Sequence, residues 1–406
     1  MASDALRPPP RTLLDLAQDV RGKSVLNVGI GDGDLCLEAL ARGADRVAGL
    51  DVDRAALDRA ARKAMSQSRP VEFRQVNFDE HWSAERFDYV FCGSVLSRVR
   101  NPLLLLDRLV DLAAERLVLE VPELCRPDYS ALRLRWWHRL CLRGLRGVPL
   151  VLVHPRPVRR DGQSVMLTTV AAQALLREHR SVFSRVVVVP SATSGRWFVI
   201  AERRRIDRLI VIAGPTSSGK STLIAALGNG GEGEIAARLG IASDTKWEAS
   251  GLYDIVTDTR SQLPTIVMHY DFLGRLRDAN HTAQRRALLD VISCCRDVTI
   301  VTLWTEPTRL YEQFEQSELR GYVNSRGVQP TSPKTLRLKR DYQDPQKVVD
   351  YYRGWLEFVS TLPGGHLVLS PFPQPQFFSI EQWLNQYGAS SVSRQSSPPV
   401  QNGPLQ

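Results

Sequence analysis

Residues 25–33 read VLNVGIGDG, and an apolar strand runs there into three glycines that alternate with other residues. Glycines in such a turn let the backbone bend tightly and approach a ligand, because they carry no Cβ that would clash. The spacing is GxGxG, which differs from the GxGxxG of the dinucleotide-binding fingerprint. An apolar helical stretch follows. We therefore expect a strand, a ligand-approaching turn and a helix in direct succession.

Strands and helices alternate outward from this turn. Helical stretches at 35–41, 54–63 and 102–114 separate segments rich in β-branched and aromatic residues. Alternation of this kind is typical of a parallel sheet with helices on both faces. The predicted strands lie at 24–29, 46–51, 71–77, 87–91, 116–121, 184–189 and 197–202. The last two follow each other closely, so we predict a Rossmann-like α/β sheet of seven strands that ends in an antiparallel pair.

The second predicted strand ends at Asp51, about twenty residues after the glycine turn. A carboxylate at that position is placed to accept hydrogen bonds from the hydroxyls of a ribose. A glycine turn alone is weak evidence for a ligand site, but its combination with an acidic strand end is much stronger.

Together with two later blocks, these features resemble the class I S-adenosylmethionine-dependent methyltransferases over residues 12–204. Residues 71–78 (VEFRQVNF) match the segment that flanks the adenine in that family, and residues 87–96 (FDYVFCGSVL) match its fourth-strand motif. The resemblance implies S-adenosylmethionine as the cofactor. The cofactor-binding residues that it implies are Gly29, Gly31, Gly33, Asp51, Asn77 and Phe78.

Two residues depart from the family pattern. Asn27 stands at the strand end where the family often has an acid, and Arg98 stands where a histidine is common. Methyl transfer requires mainly proximity and an in-line approach, whereas a general base is required only when the acceptor loses a proton. The sequence shows no obvious base, so the chemistry of the acceptor is open at this point.

A second glycine-rich turn, GPTSSGKST at residues 214–222, lies between a strand predicted at 209–213 and an apolar helix. Its spacing is GxxxxGK followed by Ser, and strand, loop and helix are the context that this motif requires. The N–H groups of such a loop attract phosphate oxygens. Lys220 is then expected to reach the β- and γ-phosphates of a nucleotide, and the Ser221 hydroxyl to bind Mg²⁺. The predicted nucleotide-binding residues are Gly214, Ser217, Ser218, Gly219, Lys220, Ser221 and Thr222.

A strand predicted at 265–270 ends in Asp271. This carboxylate is predicted to hold Mg²⁺ or to accept a proton from a hydroxyl substrate, although a helix N-cap is an equally good interpretation. His269, inside the strand, is predicted to pack in the core. The other strands predicted for this parallel α/β sheet lie at 298–303 and 366–369, with a further candidate near 238–243.

The second half, residues 207–388, resembles the P-loop small-molecule and nucleotide kinases. Besides the loop, the order of its elements and a polar stretch at 320–341 carry the resemblance. In that family an arginine-bearing lid closes on the transferred phosphoryl group, and the cofactors are ATP and Mg²⁺. The implied catalytic residues are Lys220, Asp271, Arg337 and Arg340, with Ser221 and Asp271 as metal ligands. A solvated loop accounts for the charges of the lid stretch equally well.

The chain has 406 residues and a formal net charge of +9, and nearly all of that excess lies in one segment. Residues 126–160 contain nine arginines and one acid, whereas residues 207–406 contain equal numbers of basic and acidic side chains. Four of these arginines fall on one side of a helix, namely Arg135, Arg139, Arg143 and Arg146. Three interpretations stay open: binding to an anionic membrane surface, binding to RNA phosphates, or packing with solvated arginines.

The composition indicates in which cellular compartment the protein is expected. No stretch approaches about 18 consecutive apolar residues, so we expect no transmembrane segment. Residues 1–11 lack the apolar core of a secretory signal and are expected to be flexible. The six cysteines form no CxxC pair and are typical of reduced thiols in a cytoplasmic protein. Residues 389–406 are rich in Ser, Pro and Gln and are expected to be disordered.

The two resemblances imply a bifunctional enzyme that transfers a methyl group and a phosphoryl group. Its acceptor is unidentified, and a small molecule or a glycan fits best. Two alternatives stay open. One is an RNA-modifying methyltransferase, acting on tRNA, with an auxiliary P-loop ATPase. The other is a methyltransferase regulated by a nucleotide-binding P-loop domain.

Overall fold

The computed structural model divides the chain into two compact units, Met1–Arg205 with Val256–Gln262 and Ile206–Ile255 with Leu263–Gln406. The residues that the structure describes are 19–67, 70–80, 85–93, 95–96, 98–122, 148–153, 165–191, 196–230, 233–241, 244–273, 279–319, 333–371 and 374–388. The predicted flexible N-terminus, the predicted disordered tail and the four arginines of the basic segment lie outside these residues, so the predictions about them stay predictions.

The first unit combines nine strands and four helices in its described part. The strands are β1 (Ser24–Val28), β2 (Arg46–Asp51), β3 (Glu72–Gln75), β4 (Phe87–Gly93), β5 (Ala113–Pro122), β6 (Val151–Val153), β7 (Val165–Leu167), β8 (Phe183–Pro190) and β9 (Arg196–Arg203). The helices are α1 (Asp34–Ala41), α2 (Arg54–Ser66), α3 (Pro102–Leu112) and α4 (Thr169–Glu178). Seven of the strands form one sheet in the order β3-β2-β1-β4-β5-β9-β8, and β6 and β7 form a separate antiparallel pair.

The large sheet has the predicted mixed character. Its first five strands are parallel, and β9 runs antiparallel to both of its neighbours, which confirms the antiparallel pair expected at the end of the sheet. The chain runs from β1 outward to β2 and β3 and then returns to place β4 on the opposite side of β1, so the strand order reverses at β1. Open α/β sheets bind their ligands in the crevice that this arrangement opens at the carboxyl ends of the strands.

Helix α1 packs on this sheet through small and aliphatic side chains. Val25 and Val47 are register partners on β1 and β2, and both belong to one buried cluster with Ala39 of α1 and Leu57 of α2. Apolar burial of this kind is worth about 25 cal/mol for each Å² removed from water. The cluster holds β1 and α1 in place, so the glycine turn between them is fixed at both ends.

The second unit also forms a sheet with helices around it. Its strands are β10 (Arg205–Gly214), β11 (Trp247–Gly251), β12 (Gln262–Asp271), β13 (Cys295–Leu303), β14 (Gly365–Ser370) and β15 (Gln376–Phe378). Its helices are α5 (Lys220–Gly228), α6 (Gly233–Arg238), α7 (Leu252–Thr257), α8 (Ala279–Ile292), α9 (Pro307–Leu319), α10 (Pro333–Tyr342), α11 (Pro345–Val359) and α12 (Ile380–Tyr387). The strand order is β11-β12-β10-β13-β14-β15, with β15 antiparallel to β14.

The strand predicted near 238–243 is wrong as far as the structure describes this segment. Helix α6 continues to Arg238, and Gly240 then adopts a left-handed backbone with φ of +61°. The Ile241 N–H donates to the Ala236 carbonyl and the Gly240 N–H to the Ala237 carbonyl, which is the Schellman pattern that ends a helix. The edge strand is β11 instead, and its sequence WEASG has too few β-branched residues to indicate a strand.

The structure contains no helix, in the ranges it describes, that is both long enough and apolar enough to cross a membrane.

Candidate functional site

The three glycines of the first turn all have left-handed backbones, with φ of +82° at Gly29, +56° at Gly31 and +80° at Gly33. A Cβ on Gly29 would lie 2.2 Å from Val95 Cγ2, and a Cβ on Gly33 would lie 2.7 Å from Ala60 Cβ. Both of these glycines therefore permit close packing within the protein. A Cβ on Gly31 would meet no atom within 4 Å, because this glycine faces open space.

That open space belongs to a cavity of about 510 Å³ at the carboxyl ends of the central parallel strands. Gly29 and Gly31 lie in its wall, and so do Asp51 and the predicted adenine-flanking residues Asn77 and Phe78. The topology thus brings together residues from the ends of three strands, as the sequence predicted for a ligand site. Gly33 is outside the wall and N-caps α1, where it lets α1 approach α2.

Asp51 connects the end of β2 to the glycine turn. Its Oδ2 accepts a hydrogen bond from the Ile30 N–H at 2.9 Å, and its Oδ1 accepts one from the Asp53 N–H at 3.0 Å. Hydrogen bonds to an ionised carboxylate are stronger than those between neutral groups. The carboxylate is therefore held in a fixed orientation at the edge of the cavity.

Asn27 occupies the strand end where the resembling family often has an acid. It is 3% exposed, and its Nδ2 donates to the Cys36 Sγ at 3.8 Å. Burial raises the pKa of Cys36 to about 12, so the thiol stays neutral. A neutral amide paired with a neutral thiol avoids the cost of a buried charge at this position.

The cavity wall also contains charged residues that were not predicted from the sequence, and two of them, on β5 and β9, pair with each other. Glu120 of β5 and Arg196 of β9 form an ion pair, with 2.7 Å between Arg196 Nη1 and Glu120 Oε2. The Ser191 hydroxyl donates to Glu120 Oε1 at 3.3 Å. Arg98, which the sequence showed as a departure from the family pattern, is exposed and lies in the same wall. An isolated acid in the apolar run LVLEV was the available signal for Glu120.

The second turn forms a tight loop between β10 and α5. Ser217 is the only non-glycine residue with positive φ in the described part of the chain, at +69°, and Gly219 N-caps α5 with φ of +88°. A Cβ on Gly219 would meet no atom within 4 Å, whereas one on Gly214 would lie 2.4 Å from Ser218 Oγ. The loop therefore exposes backbone at Gly219 and packs on itself at Gly214.

Lys220 is buried and turned towards this loop. Its Nζ donates to the Gly214 carbonyl at 3.0 Å and to the Pro215 carbonyl at 2.6 Å. Ser221 and Thr222 are exposed in the first turn of α5. The ammonium group and the two hydroxyls thus lie at the amino end of a helix, where an anion is favoured.

Asp271 lies beside the same loop, although 55 positions separate it from Thr216 in sequence. The Thr216 hydroxyl donates to Asp271 Oδ2 at 2.5 Å, and Asp271 Oδ1 accepts from the Leu273 N–H at 3.0 Å. Residues 272–273 form a turn. In the described residues Asp271 therefore caps a turn and contacts the loop. Residues 274–278 lie outside the described ranges, so the helix N-cap interpretation stays a prediction.

Helix α10 approaches the loop through its carboxyl end. The buried Tyr342 hydroxyl donates to the Thr216 carbonyl at 2.9 Å, and burial raises the pKa of Tyr342 well above its ordinary value. Arg337 Nη2 donates to the Leu273 carbonyl at 3.5 Å, next to Asp271. The Arg340 side chain is 71% exposed and lies 3.9 Å from Asp341, so of the two predicted lid arginines only Arg337 reaches the loop region.

His269 is exposed, and the prediction that it packs in the core is wrong. Its register partner on β11 is Gly251, which has no side chain to cover the ring. His269 instead lies in the wall of an open cleft of about 420 Å³, together with Trp247 and Ser221. Within the described ranges, no group of three or more His, Cys, Asp and Glu side chains is placed to hold a metal ion.

Comparison with known proteins concerns the N-terminal part of the chain. Residues 1–152, which lie in the first unit, match a family model described as a methyltransferase domain. The curated relatives include ubiquinone biosynthesis O-methyltransferases from Actinobacillus pleuropneumoniae serotype 7 (strain AP76) and from Alkalilimnicola ehrlichii. The former is 33% identical over 93 residues, covering 21% of this chain and 39% of that protein.

The relative from Alkalilimnicola ehrlichii is 35% identical over 85 residues, covering 20% of this chain and 34% of that protein. The chain thus spans about two fifths or less of the length of these curated relatives. Among solved structures, magnesium protoporphyrin IX methyltransferase (ChlM) from Synechocystis PCC 6803 with bound SAH is 17% identical, covering 47% of this chain and 78% of that chain. The TM-score of this pair is 0.34.

Proposed function

We propose that the first unit is an S-adenosylmethionine-dependent methyltransferase that binds its methyl donor in the 510 Å³ cavity. The observation that carries the proposal is Gly31, whose left-handed backbone faces the open cavity beside Asp51. The match of residues 1–152 to a methyltransferase-domain model supports it independently. The names of the curated relatives favour an oxygen atom as the methyl acceptor.

The residues of the cavity fit this donor. The glycine turn leaves room for close contact at Gly31, and the fixed Asp51 carboxylate suits the ribose hydroxyls. Asn77 and Phe78 supply a polar and an aromatic surface for the adenine. The bound donor supplies an activated methyl group, and the protein's own contribution is to orient the two reactants and exclude water.

Calorimetry with S-adenosylmethionine tests this proposal. Wild type is expected to bind, whereas Gly31→Val fills the open space and Asp51→Ala removes the ribose partner, so each is expected to weaken binding at least about tenfold, or about 1.4 kcal/mol. Asp58→Ala is the matched control, because Asp58 is an exposed acid on α2 that pairs with Arg54. Absence of binding by wild type, or unchanged binding by both cavity variants, would contradict the proposal.

We further propose that the second unit binds a nucleoside triphosphate with Mg²⁺ and transfers its terminal phosphoryl group. The supporting observation is the contact of Asp271 with Thr216, which brings a carboxylate to the loop that carries Lys220. Lys220 would leave its carbonyl partners to contact phosphates, and Ser221 and Asp271 would hold Mg²⁺. Arg337 would stabilise charge on the transferred group, and Arg340 would do so only if α10 moves.

Lys220→Ala is the matching test for the second unit. We expect it to abolish ATP·Mg binding in calorimetry, while Lys347→Ala, which removes an exposed lysine on α11, leaves binding unchanged. Labelled γ-phosphate then separates the activities: label in a small product supports a kinase, and release of inorganic phosphate supports an ATPase. Nucleotide binding without any turnover would instead favour the regulatory alternative.

A further inference from the structure

Glu120 is an acid in the middle of an apolar strand. It is 9% exposed, and its chain neighbours Leu119 and Val121 are buried in the core. A buried carboxylate is costly unless it is paired, and Arg196 and Ser191 provide partners here. Even a well-paired buried ion pair stabilises a protein little compared with apolar residues of similar size. Stability therefore does not explain why β5 carries an acid at this position.

The register of the sheet explains it better. Glu120 is the partner of Gly93 on β4, and one residue earlier in the register Cys92 is the partner of Val28 on β1. Gly29, Gly93 and Glu120 thus lie in one row across three adjacent strands. Neighbouring strands are about 4.8 Å apart, so the Glu120 backbone is about 10 Å from the glycine turn. The two glycines have no side chains, and the first side chain in this row is the Glu120 carboxylate.

Glu120 and Arg196 line the same cavity as Gly29 and Asp51, and they come from β5 and β9 rather than from the glycine turn. The glycine turn, Asp51 and the residues after β3 form the part of the cavity wall that is expected to contact the methyl donor. The acceptor must approach from the remaining side, since methyl transfer requires it in line with the bond that breaks. That side carries the Glu120 carboxylate, held in orientation by Arg196.

We propose, on the basis of the methyltransferase function proposed above, that Glu120 contacts a hydroxyl group of the methyl acceptor and takes its proton. The acceptor oxygen forms a bond to the methyl carbon, the carbon–sulfur bonding pair goes to the sulfur of the donor, and the hydroxyl proton goes to a Glu120 carboxylate oxygen. Arg196 is a positioning residue that holds this carboxylate. The acceptor class is therefore a hydroxyl compound that yields a methyl ether.

A carboxylate acceptor fits this wall less well. An ionised carboxylate has no proton to lose, so Glu120 would have no role as a base towards it. Its product would be a methyl ester, which releases methanol in mild alkali, whereas a methyl ether resists alkali and is cleaved by hydriodic acid. The chemical stability of the methylated product thus distinguishes the two acceptor classes before the acceptor itself is known.

The experiment uses the full chain, methyl-labelled S-adenosylmethionine and a small-molecule cell extract as the pool of acceptors. We expect alkali-stable label that hydriodic acid releases as methyl iodide. Glu120→Gln is expected to reduce transfer about 100-fold or more, the usual contribution of a general base, with donor affinity unchanged in calorimetry. Glu202→Gln is the matched control, because Glu202 is also paired with an arginine in this sheet and is outside the cavity wall.

Glu120→Asp keeps the charge on a shorter side chain and is expected to transfer at an intermediate rate. Full transfer by Glu120→Gln, label released as methanol, or equal losses in the Gln and Asp variants with intact donor binding would each overturn this inference. Wild type that binds the donor but labels nothing would also overturn it. Failure of wild type to bind S-adenosylmethionine would instead refute the methyltransferase function itself.

Discussion

Gly29 and Gly31 stand two positions apart in one turn and have the same left-handed backbone, yet their surroundings differ. A Cβ at Gly29 would overlap the Val95 side chain, whereas a Cβ at Gly31 would project into the cavity. A glycine pattern in a sequence indicates backbone freedom at both positions equally. Only the neighbours across the fold show that a side chain at the first glycine would clash and that the second glycine faces open space.

Alanine at these two positions is expected to separate folding from binding. Gly31→Ala adds only the cost of a left-handed backbone, about 1–2 kcal/mol of unfolding free energy, and its methyl group projects into the cavity. Gly29→Ala adds overpacking against Val95, about 1–3 kcal/mol more. Thermal unfolding should therefore show the larger loss for Gly29→Ala. Calorimetry of the folded variants should show weakened donor binding for Gly31→Ala; equal stability of the two variants would contradict the packing argument.

Two buried cysteines of the first unit, Cys36 and Cys92, differ from an ordinary thiol in their protonation. Burial raises the pKa of Cys36 and of Cys92 to about 12, so both remain protonated thiols at mildly alkaline pH. Since the thiolate is the nucleophile, we expect no reaction of either with iodoacetamide in the native protein. Peptide mapping after alkylation, with urea-unfolded protein as the control, checks this. Rapid labelling of Cys36 in the folded chain would show that the turn opens.

At the scale of single elements, helix ends explain where several boundaries fall. Helix α11 begins after Asp344, whose carboxylate accepts hydrogen bonds from the Gln346 and Lys347 N–H groups at 3.1 and 3.3 Å. The proline at the first helical position lacks the N–H that would otherwise have no partner there. Helix α11 carries Tyr352 and Trp355 into the core of the second unit. The position at which α11 begins therefore affects how these two side chains pack in the core of the second unit.

Asp344→Ala is expected to destabilise the second unit by about 0.5–2 kcal/mol, because two N–H groups at the start of α11 lose their acceptor. Asp344→Asn, which keeps an acceptor oxygen, should lose much less. Urea unfolding followed by tryptophan fluorescence measures this, since Trp355 is buried in this unit. Equal losses for the Ala and Asn variants would indicate that charge, rather than capping, explains the effect.

At the scale of the whole molecule, each large sheet lies in one compact unit, apart from the first residue of β10 and of β12. A ligand that binds one native unit stabilises that unit by about 2.7 kcal/mol when its concentration is 100 times its Kd. We therefore expect two separate footprints in hydrogen exchange measured by mass spectrometry. S-adenosylmethionine should protect the amides around β1 and α1, and a non-hydrolysable ATP analogue those around β10 and α5.

Each footprint has its own control in the same chain. Gly31→Val should remove the first footprint and keep the second, and Lys220→Ala should do the reverse. Protection of the second unit by S-adenosylmethionine would mean that the two sites are coupled, which the regulatory alternative predicts.

Most strands and both glycine-rich turns could be predicted from the sequence, because apolar periodicity and backbone freedom are local properties. The candidate near 238–243 failed because Gly240 ends a helix in a segment whose apolar residues also suit a strand. The prediction for His269 failed for a related reason: its burial depends on the side chain that the neighbouring edge strand β11 places opposite it, and that residue is a glycine.

By itself the sequence determined the class of fold in the first half and the position of the two glycine-rich turns. The tertiary structure alone decided which distant residues meet there. Glu120 pairs with Arg196 across 76 positions, and Tyr342 bonds to Thr216 across 126. Such pairs depend on the order and register of strands in a sheet, which are set by packing of the whole unit rather than by any local pattern.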